Sequence, residues 1–436
     1  QESAEFVNLE QNIYNVSVEG GELDIRFSTN IAEDELLIYG SLGTGTWLTQ
    51  ETKTRASSSY MLNLTVLPNT DGVSRTAYIY FVKVTDMESI VVEMVTIIQR
   101  GEVASESTDY SSDKKVRVLQ TAKLGKGLPI VLMGDGFIDT EINDGTYDAV
   151  MDKAFENLFT EEPIKSLRDY FNVYAVTAVS KHNIFGTGYE TALGCELAGG
   201  NSTGISGEDN AVQRYVQCVD NIDMSETLAV VILNSPAYAG TTYFGYTNQT
   251  KVVEFAIAYC PVIYDLQSES FRQVLVHEAV GHGFAKLEDE YAYQENGTIS
   301  SKEIKNVQYL QTLGWAQNVD FTSDPSQVLW SAFLNDNRYV SEKLGVFEGA
   351  CTYIKGAYRP SEESMMRSNI LGFNAPSRKA LYDRTMKTAT GASKSTYEEF
   401  VEFDLRNGRR TRSTAVYAEP GKPFAHPRLV NKALIK

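Results

Sequence analysis

The feature that most constrains this chain is a change of hydrophobic period near residue 116. Before it, apolar and polar residues alternate, as in Tyr14-Asn15-Val16-Ser17-Val18, Leu23-Asp24-Ile25-Arg26-Phe27 and Ala77-Tyr78-Ile79-Tyr80-Phe81, and apolar positions continue from Ile90 to Ile98. A period of two is what half-buried strands require. Turn signals such as Gly20-Gly21 and Asn69-Thr70-Asp71-Gly72 separate these runs, so residues 1–101 are expected to form a β-sandwich. Beyond residue 116 the runs become continuously apolar, in Leu128–Met133, Phe171–Val176 and Leu228–Leu233, and Tyr147–Phe159 carries a helical period. Strands alternating with helices imply a mixed, largely parallel sheet. The polar, serine-rich residues 102–115 between the two patterns read as a linker. The expected organisation is therefore multi-domain and α+β: a sandwich over 1–101 and an α/β domain over 116–436.

The chain has 436 residues, for which two domains are the default expectation. Its formal net charge of −18 argues against nucleic acid, because binding phosphates requires a basic face. The same charge argues against attraction to an anionic membrane surface. No apolar run approaches the roughly 20 residues needed to span a bilayer, so no transmembrane segment is expected. No signal peptide precedes the polar segment at Gln1, which is not evidence for the cytoplasm. Four cysteines, Cys195, Cys218, Cys260 and Cys351, form no CxxC pair, which argues against a cysteine-held zinc. Their even number fits two disulfides in an oxidising compartment, with Cys195–Cys218 the most local pairing; four unpaired thiols are the alternative.

Histidine is scarce. Of His182, His277, His282 and His426, two fall within six residues, with Glu278 directly after the first. Phe271, Val274, Leu275 and Leu287 supply a helical apolar face beside them. Zinc peptidases commonly use H-E-x-x-H, with histidines four apart on one helix face. Here they are five apart, which in a regular α-helix leaves the side chains roughly 140° apart and unable to share an ion. A one-residue π-bulge at Ala279–Gly281 would restore a common face, and Gly281 eases that distortion. The helix ending near Gly281 would serve as well. Spacing alone leaves open that the two histidines are unrelated.

The N-terminal stretch resembles a BACON domain. The resemblance rests on Glu19-Gly20-Gly21, Ser28-Thr29-Asn30, Trp47-Leu48, Leu67-Pro68-Asn69, Arg75-Thr76-Ala77 and Ile98-Gln99-Arg100-Gly101 in that order, with Leu36-Leu37 where the family usually has an aromatic. Such modules stand N-terminal to extracellular Bacteroidetes enzymes. The resemblance implies an extracytoplasmic protein, with glycan contact through this domain or a plain spacer role.

The segment His277-Glu278-Ala279-Val280-Gly281-His282-Gly283-Phe284-Ala285-Lys286-Leu287-Glu288-Asp289-Glu290-Tyr291 is similar to the active-site segment of the IgA-peptidase-like zinc metallopeptidases. Tyr358-Arg359-Pro360-Ser361-Glu362-Glu363-Ser364-Met365-Met366-Arg367-Ser368-Asn369 resembles that family's Met-turn, and Phe373-Asn374-Ala375-Pro376-Ser377-Arg378 and Gly134-Asp135-Gly136-Phe137 continue the match. The resemblance spans roughly 116–390 and implies a metzincin-like fold, Zn2+ and a polypeptide substrate, host glycoproteins among the possibilities. It implies His277 and His282 as zinc ligands and Glu278 as general base, accepting a proton from water and passing it to the leaving amine. For the third ligand, metzincin spacing points to Glu288, whereas the family's shared D-E-Y points to Asp289, the favoured reading. Asp289 as a carboxylate orienting a histidine is the alternative. Met366 stands where the floor methionine is expected, with Met365 as fallback, and Tyr291, Tyr358 and Arg359 are candidates for oxyanion stabilisation.

Other features weigh less. His182 and His426 read as surface or satisfied histidines. Asn234 to Gly245 follows a strand and reads as a mobile loop or as a rim strand that pairs with an extended peptide. Asp135 in Gly-Asp-Gly is a turn or a cation site. The rival readings are another zinc hydrolase, such as a cell-wall peptide amidase, and a degenerate peptidase that only binds glycan or protein. The intact Glu278 argues against the latter.

Overall fold

The computed structural model of the chain describes residues 5–41, 47–56, 59–69, 75–85, 89–99, 105–186, 189–198, 204–293, 296–369, 371–392, 395–407, 427–430 and 432–435. The alternating N-terminal runs form two four-stranded sheets. One is ordered Val7–Leu9, Gly21–Thr29, Ser59–Val66, Leu48–Ala56, and the other Ile13–Val16, Ser89–Gln99, Arg75–Val84, Leu36–Ser41. The period of two sends Ile25, Phe27, Leu62 and Leu64 of the first sheet into one core with Ala77, Ile79, Phe81, Val95 and Ile97 of the second. Phe27 meets Phe81 edge-on, with ring centroids 4.8 Å apart. Burial of each large apolar side chain there stabilises the sandwich by about 1.5–3 kcal/mol.

The second half is built on a seven-stranded mixed sheet. Its order is Arg428–Leu429, Thr241–Phe244, Ala256–Pro261, Leu228–Leu233, Leu128–Asp135, Phe171–Val176, Val116–Gln120. The four strands from Ala256–Pro261 to Phe171–Val176 are mutually parallel, and Thr241–Phe244 and Val116–Gln120 run antiparallel to their inner neighbours. Ile130 and Leu132 face a core shared with the helices Thr146–Leu158 and Glu269–Leu275, while Val131 and Met133 face another with the helix Asp209–Val216. Both faces being covered is why these strands carry continuous apolar runs rather than alternation.

Two expectations are corrected. Residues 105–115 do not hang free as a linker but are bonded to the α/β domain. The Asp139 carboxylate accepts from the Thr108 and Asp109 N–H groups at 2.8 and 2.7 Å, and Ser107 Oγ donates to the Ser180 carbonyl at 2.7 Å. Asp113 Oδ1 accepts from Tyr215 Oη at 2.8 Å and from the Val179 N–H at 3.0 Å. A polar, serine-rich composition suits a linker, but serine and aspartate side chains satisfy backbone donors and acceptors equally well. The Cys195–Cys218 bridge is also absent: all four cysteines are unpaired. The Cys218 thiol lies 3.4 Å from the Arg214 carbonyl at its own helix end, and Cys195 is buried with its N–H on Asp135. Cys195, Cys260 and Cys351 fill the interior as small apolar side chains.

Beyond the sheet, the chain adds the hairpin Phe347–Ala350 and Tyr353–Arg359 and the helix Ala375–Thr390, and between them the short helix Met365–Ser368 packs against the helix that carries the histidines. No helix among the described residues is long and apolar enough to cross a membrane.

Candidate active site

Ser268 opens the helix Glu269–Leu275, its hydroxyl accepting the Phe271 N–H at 3.1 Å. The helix then widens, and Val276–Phe284 form a π-helix. Ala285 N–H bonds the Val280 carbonyl five residues back at 2.9 Å. In a π turn, residues five apart lie nearly over one another, so the unusual spacing of His277 and His282 becomes a single face. Every residue of the turn is buried. Gly281 is required by packing: a Cβ there would stand 2.3 Å from Met366 Sδ. After the π-helix the chain reverses at Lys286, which adopts φ +56°, and Asp289 returns to the histidines.

The resulting geometry is tight. His277 Nε2 lies 3.0 Å from His282 Nε2, and Asp289 Oδ1 lies 3.3 and 3.2 Å from those two nitrogens. Among the described residues, these three are the one set of His, Cys, Asp and Glu side chains placed to share an ion. The far nitrogens decide the charge pattern. His277 Nδ1 sits 2.9 Å from the Met365 carbonyl, and His282 Nδ1 sits 2.7 Å from the Leu287 carbonyl. Carbonyl oxygens only accept, so each Nδ1 carries the hydrogen and each Nε2 presents a lone pair. Two lone pairs and a carboxylate oxygen held this close repel one another unless a cation stands among them. Three atoms at these separations can all lie about 2.0–2.1 Å from a single point, and two neutral imidazoles with one carboxylate are a donor set that suits a divalent metal ion. The residues therefore fit a metal ion.

Burial would lower the basicity of both rings. In His277 the Asp289 and Glu278 carboxylates outweigh it and raise the pKa, whereas His282 stays below its ordinary value. Glu278 is also fully buried. Its Oε2 lies 2.6 Å from Thr242 Oγ1, and its Oε1 has no hydrogen-bond partner among the described residues. Desolvation pushes its pKa up to about 8. A carboxylate with one oxygen anchored and the other uncommitted is arranged to take a proton.

The other expected residues fall in different places. Glu288 does not join the cluster; its N–H donates to Asn318 Oδ1 at 2.9 Å. Met366 lies under Gly281, while Met365 contributes its backbone carbonyl to His277. Tyr291 is buried, and its phenol is pushed well above its ordinary pKa by burial and by Asp289. Arg359 is turned to structure: its Nε and Nη1 donate to the carbonyls of Ser361, Glu348 and Gly349. Tyr358 Oη stands 3.5 Å from Glu348 Oε1, on the same hairpin. His182 accepts the Glu190 N–H at 2.9 Å, and His426 lies outside the described residues. Asp135 is saturated by Thr191, Ser180 and the N–H groups of Leu193 and Cys195, so it is a structural turn. The Asn234–Gly245 stretch is a loop followed by the Thr241–Phe244 strand, whose Thr242 anchors Glu278. Thr242 and Gly240 carried no signal in the sequence; they matter because tertiary packing sets them against Glu278.

The chain matches the family described as IgA Peptidase M64 over residues 116–341, just over half its length, and the BACON family of N-terminal domains over residues 32–100. No curated protein matches it. Solved structures with similarity include WR4, a C. elegans MSP family member, at 12% identity, covering 23% of this chain and 100% of that one with a TM-score of 0.16. The GspB Siglec domain shares 15% identity, covering 41% of this chain and 98% of that one with a TM-score of 0.17. Scores this low say nothing about the fold.

Proposed function

The chain belongs to the IgA Peptidase M64 family, and from that premise we propose that it cleaves peptide bonds with a zinc ion held by His277, His282 and Asp289 and with Glu278 as general base. The observation that carries this reading is the convergence of two imidazole lone pairs and a carboxylate oxygen within 3.0–3.3 Å, with both rings locked by backbone carbonyls. A zinc ion in such a site acidifies water towards a pKa of about 7 and polarises a carbonyl.

The protein's own groups then have distinct tasks. Thr242 holds Oε2 of Glu278, leaving Oε1 to receive the proton of the attacking water and return it to the leaving amine. The Met365 and Leu287 carbonyls keep the imidazoles in the metal-binding tautomer. Tyr291 is the favoured oxyanion candidate, because it is buried near enough to Asp289 and Glu278 for both to raise its pKa, whereas Arg359 donates to backbone carbonyls and Tyr358 Oη stands by Glu348. The substrate is a polypeptide. The extracytoplasmic setting and glycan contact through the N-terminal domain belong to the same reading and rest on the BACON match.

The test is direct. Elemental analysis should find about one zinc per chain, lost in His277→Ala and in His282→Ala. Glu278→Gln should keep zinc and lose at least about 10²-fold in rate, the lower end for general-base catalysis. Full metal content in both histidine variants would refute the site, and an unchanged rate in Glu278→Gln would refute the mechanism.

A further inference from the structure

Glu290 follows Asp289 but turns away from the histidines. Its side chain is fully buried and accepts from four others. Ser364 Oγ lies 2.6 Å from Oε2, and Asn374 Nδ2 lies 2.8 and 3.0 Å from Oε2 and Oε1. Asn318 Nδ2 and Ser377 Oγ reach Oε1 at 2.9 and 3.3 Å. The Glu290 N–H donates to the Met366 carbonyl at 2.8 Å. Asn318 also brackets Glu288, accepting its N–H at 2.9 Å and donating to its carbonyl at 2.8 Å. The peptides on both sides of Asp289 are therefore pinned, and the same carboxylate grips the segment whose Met365 carbonyl orients His277.

A buried carboxylate is costly unless hydrogen bonds satisfy it. Only a carboxylate accepts on two oxygens from several directions at once, and the Asn318 and Asn374 Nδ2 groups that face it can only donate. The residue type is thus dictated by its role as a hub between the 288–290 loop, the 364–366 segment and the start of the helix Ala375–Thr390.

We propose that Glu290 is a positioning residue for the metal, setting the spacing between the Asp289 carboxylate and the His277 ring. This rests on the zinc reading above. Removing partners that orient ligands costs about 10–100-fold in metal affinity. Zinc affinity should be measured by chelator competition on the parent chain, Glu290→Gln and Ser364→Ala, together with the melting temperature of each metal-free form. Glu290→Gln should bind zinc about 10–100-fold more weakly and Ser364→Ala several-fold more weakly, measured on protein that remains folded at the assay temperature even where the metal-free melting temperature falls. A purely structural role would lower the metal-free melting temperature and leave the affinity of the folded protein unchanged. Should Glu290→Gln fail to fold, Ser364→Ala decides. Zinc affinity within about twofold of the parent in the folded variants overturns the proposal. A parent chain that binds no zinc would instead remove the metal reading, and this role with it.

Discussion

Gly240 lies directly against the Glu278 carboxylate: a Cβ at position 240 would stand 2.7 Å from Oε1 and 2.8 Å from Cγ. The strand that follows, Thr241–Phe244, holds the other oxygen through Thr242. One short stretch therefore both makes room for the Glu278 carboxylate and holds it. Gly240→Ala should displace the carboxylate without touching the three metal-facing atoms. The expected result is a loss of about 10²-fold in kcat/KM, the scale of a small misplacement of a reacting group, with zinc content unchanged. Steady-state kinetics alongside elemental analysis checks this, and wild-type kinetics would show that Glu278 does not work from this position.

Gly281 poses the complementary test. Adding a methyl group there drives it into Met366 Sδ. Gly281→Ala should lower unfolding free energy by about 1–3 kcal/mol, as overpacking of a dense interior does, and should weaken zinc binding because the π turn must shift. Urea denaturation of the metal-free and zinc-loaded forms measures both. Equal stability with unchanged affinity would mean that the floor of the site is softer than its packing indicates.

The metal-free protein should show a pH dependence set by Glu278. Its pKa rises from 4.5 to about 8 on folding, mainly through desolvation. The folded state then binds the proton more tightly than the unfolded chain. The resulting contribution to stability is fully present below about 4.5 and is lost as pH rises through about 8, at about 1.4 kcal/mol per pH unit between. Chelator-stripped parent protein should therefore lose stability over that range relative to Glu278→Gln, which cannot titrate. Parallel melting curves for the two proteins across pH 5–8 would contradict the buried, neutral carboxylate.

The bonding of residues 105–115 to the α/β domain changes where the chain is expected to be cut. Limited proteolysis should cleave N-terminal to residue 105 and spare 107–115. A chain beginning at residue 105 should be more stable than one beginning at 116. The shorter one leaves the Asp139 carboxylate and the Tyr215 hydroxyl without the partners they have here, at about 1–3 kcal/mol for each buried polar group left unsatisfied. Equal melting temperatures for the two would return this segment to the status of a tether.

Much of the fold was legible because hydrophobic period maps directly onto which faces of an element meet water. The alternation before residue 100 became the strands of the sandwich, and the unbroken apolar runs became central strands covered on both sides. Cysteine count was a poor guide, because a buried thiol and a disulfide half leave the same letter in the sequence.

The candidate site divides in the same way. The residues that converge were nameable from the sequence, since histidine is scarce and two of four flank a glutamate. Their spacing even required a departure from α geometry, because five residues on a regular helix cannot present one face. Sequence left Glu288 and Asp289 both open as the third member; in the structure, after the reversal at Lys286, it is the Asp289 carboxylate that lies beside the two histidines. The contacts of Gly240, Thr242 and Glu290 were not legible for a related reason. Their importance lies in what they touch across the fold, 36 residues away for Thr242 and Glu278 and 74 for Glu290 and Ser364. Sequence alone determined which chemistry the chain can hold, because residue type sets donor, acceptor and charge. Tertiary structure decided which atoms meet, because hydrogen bonds and packing act over a few ångströms and take no account of distance along the chain.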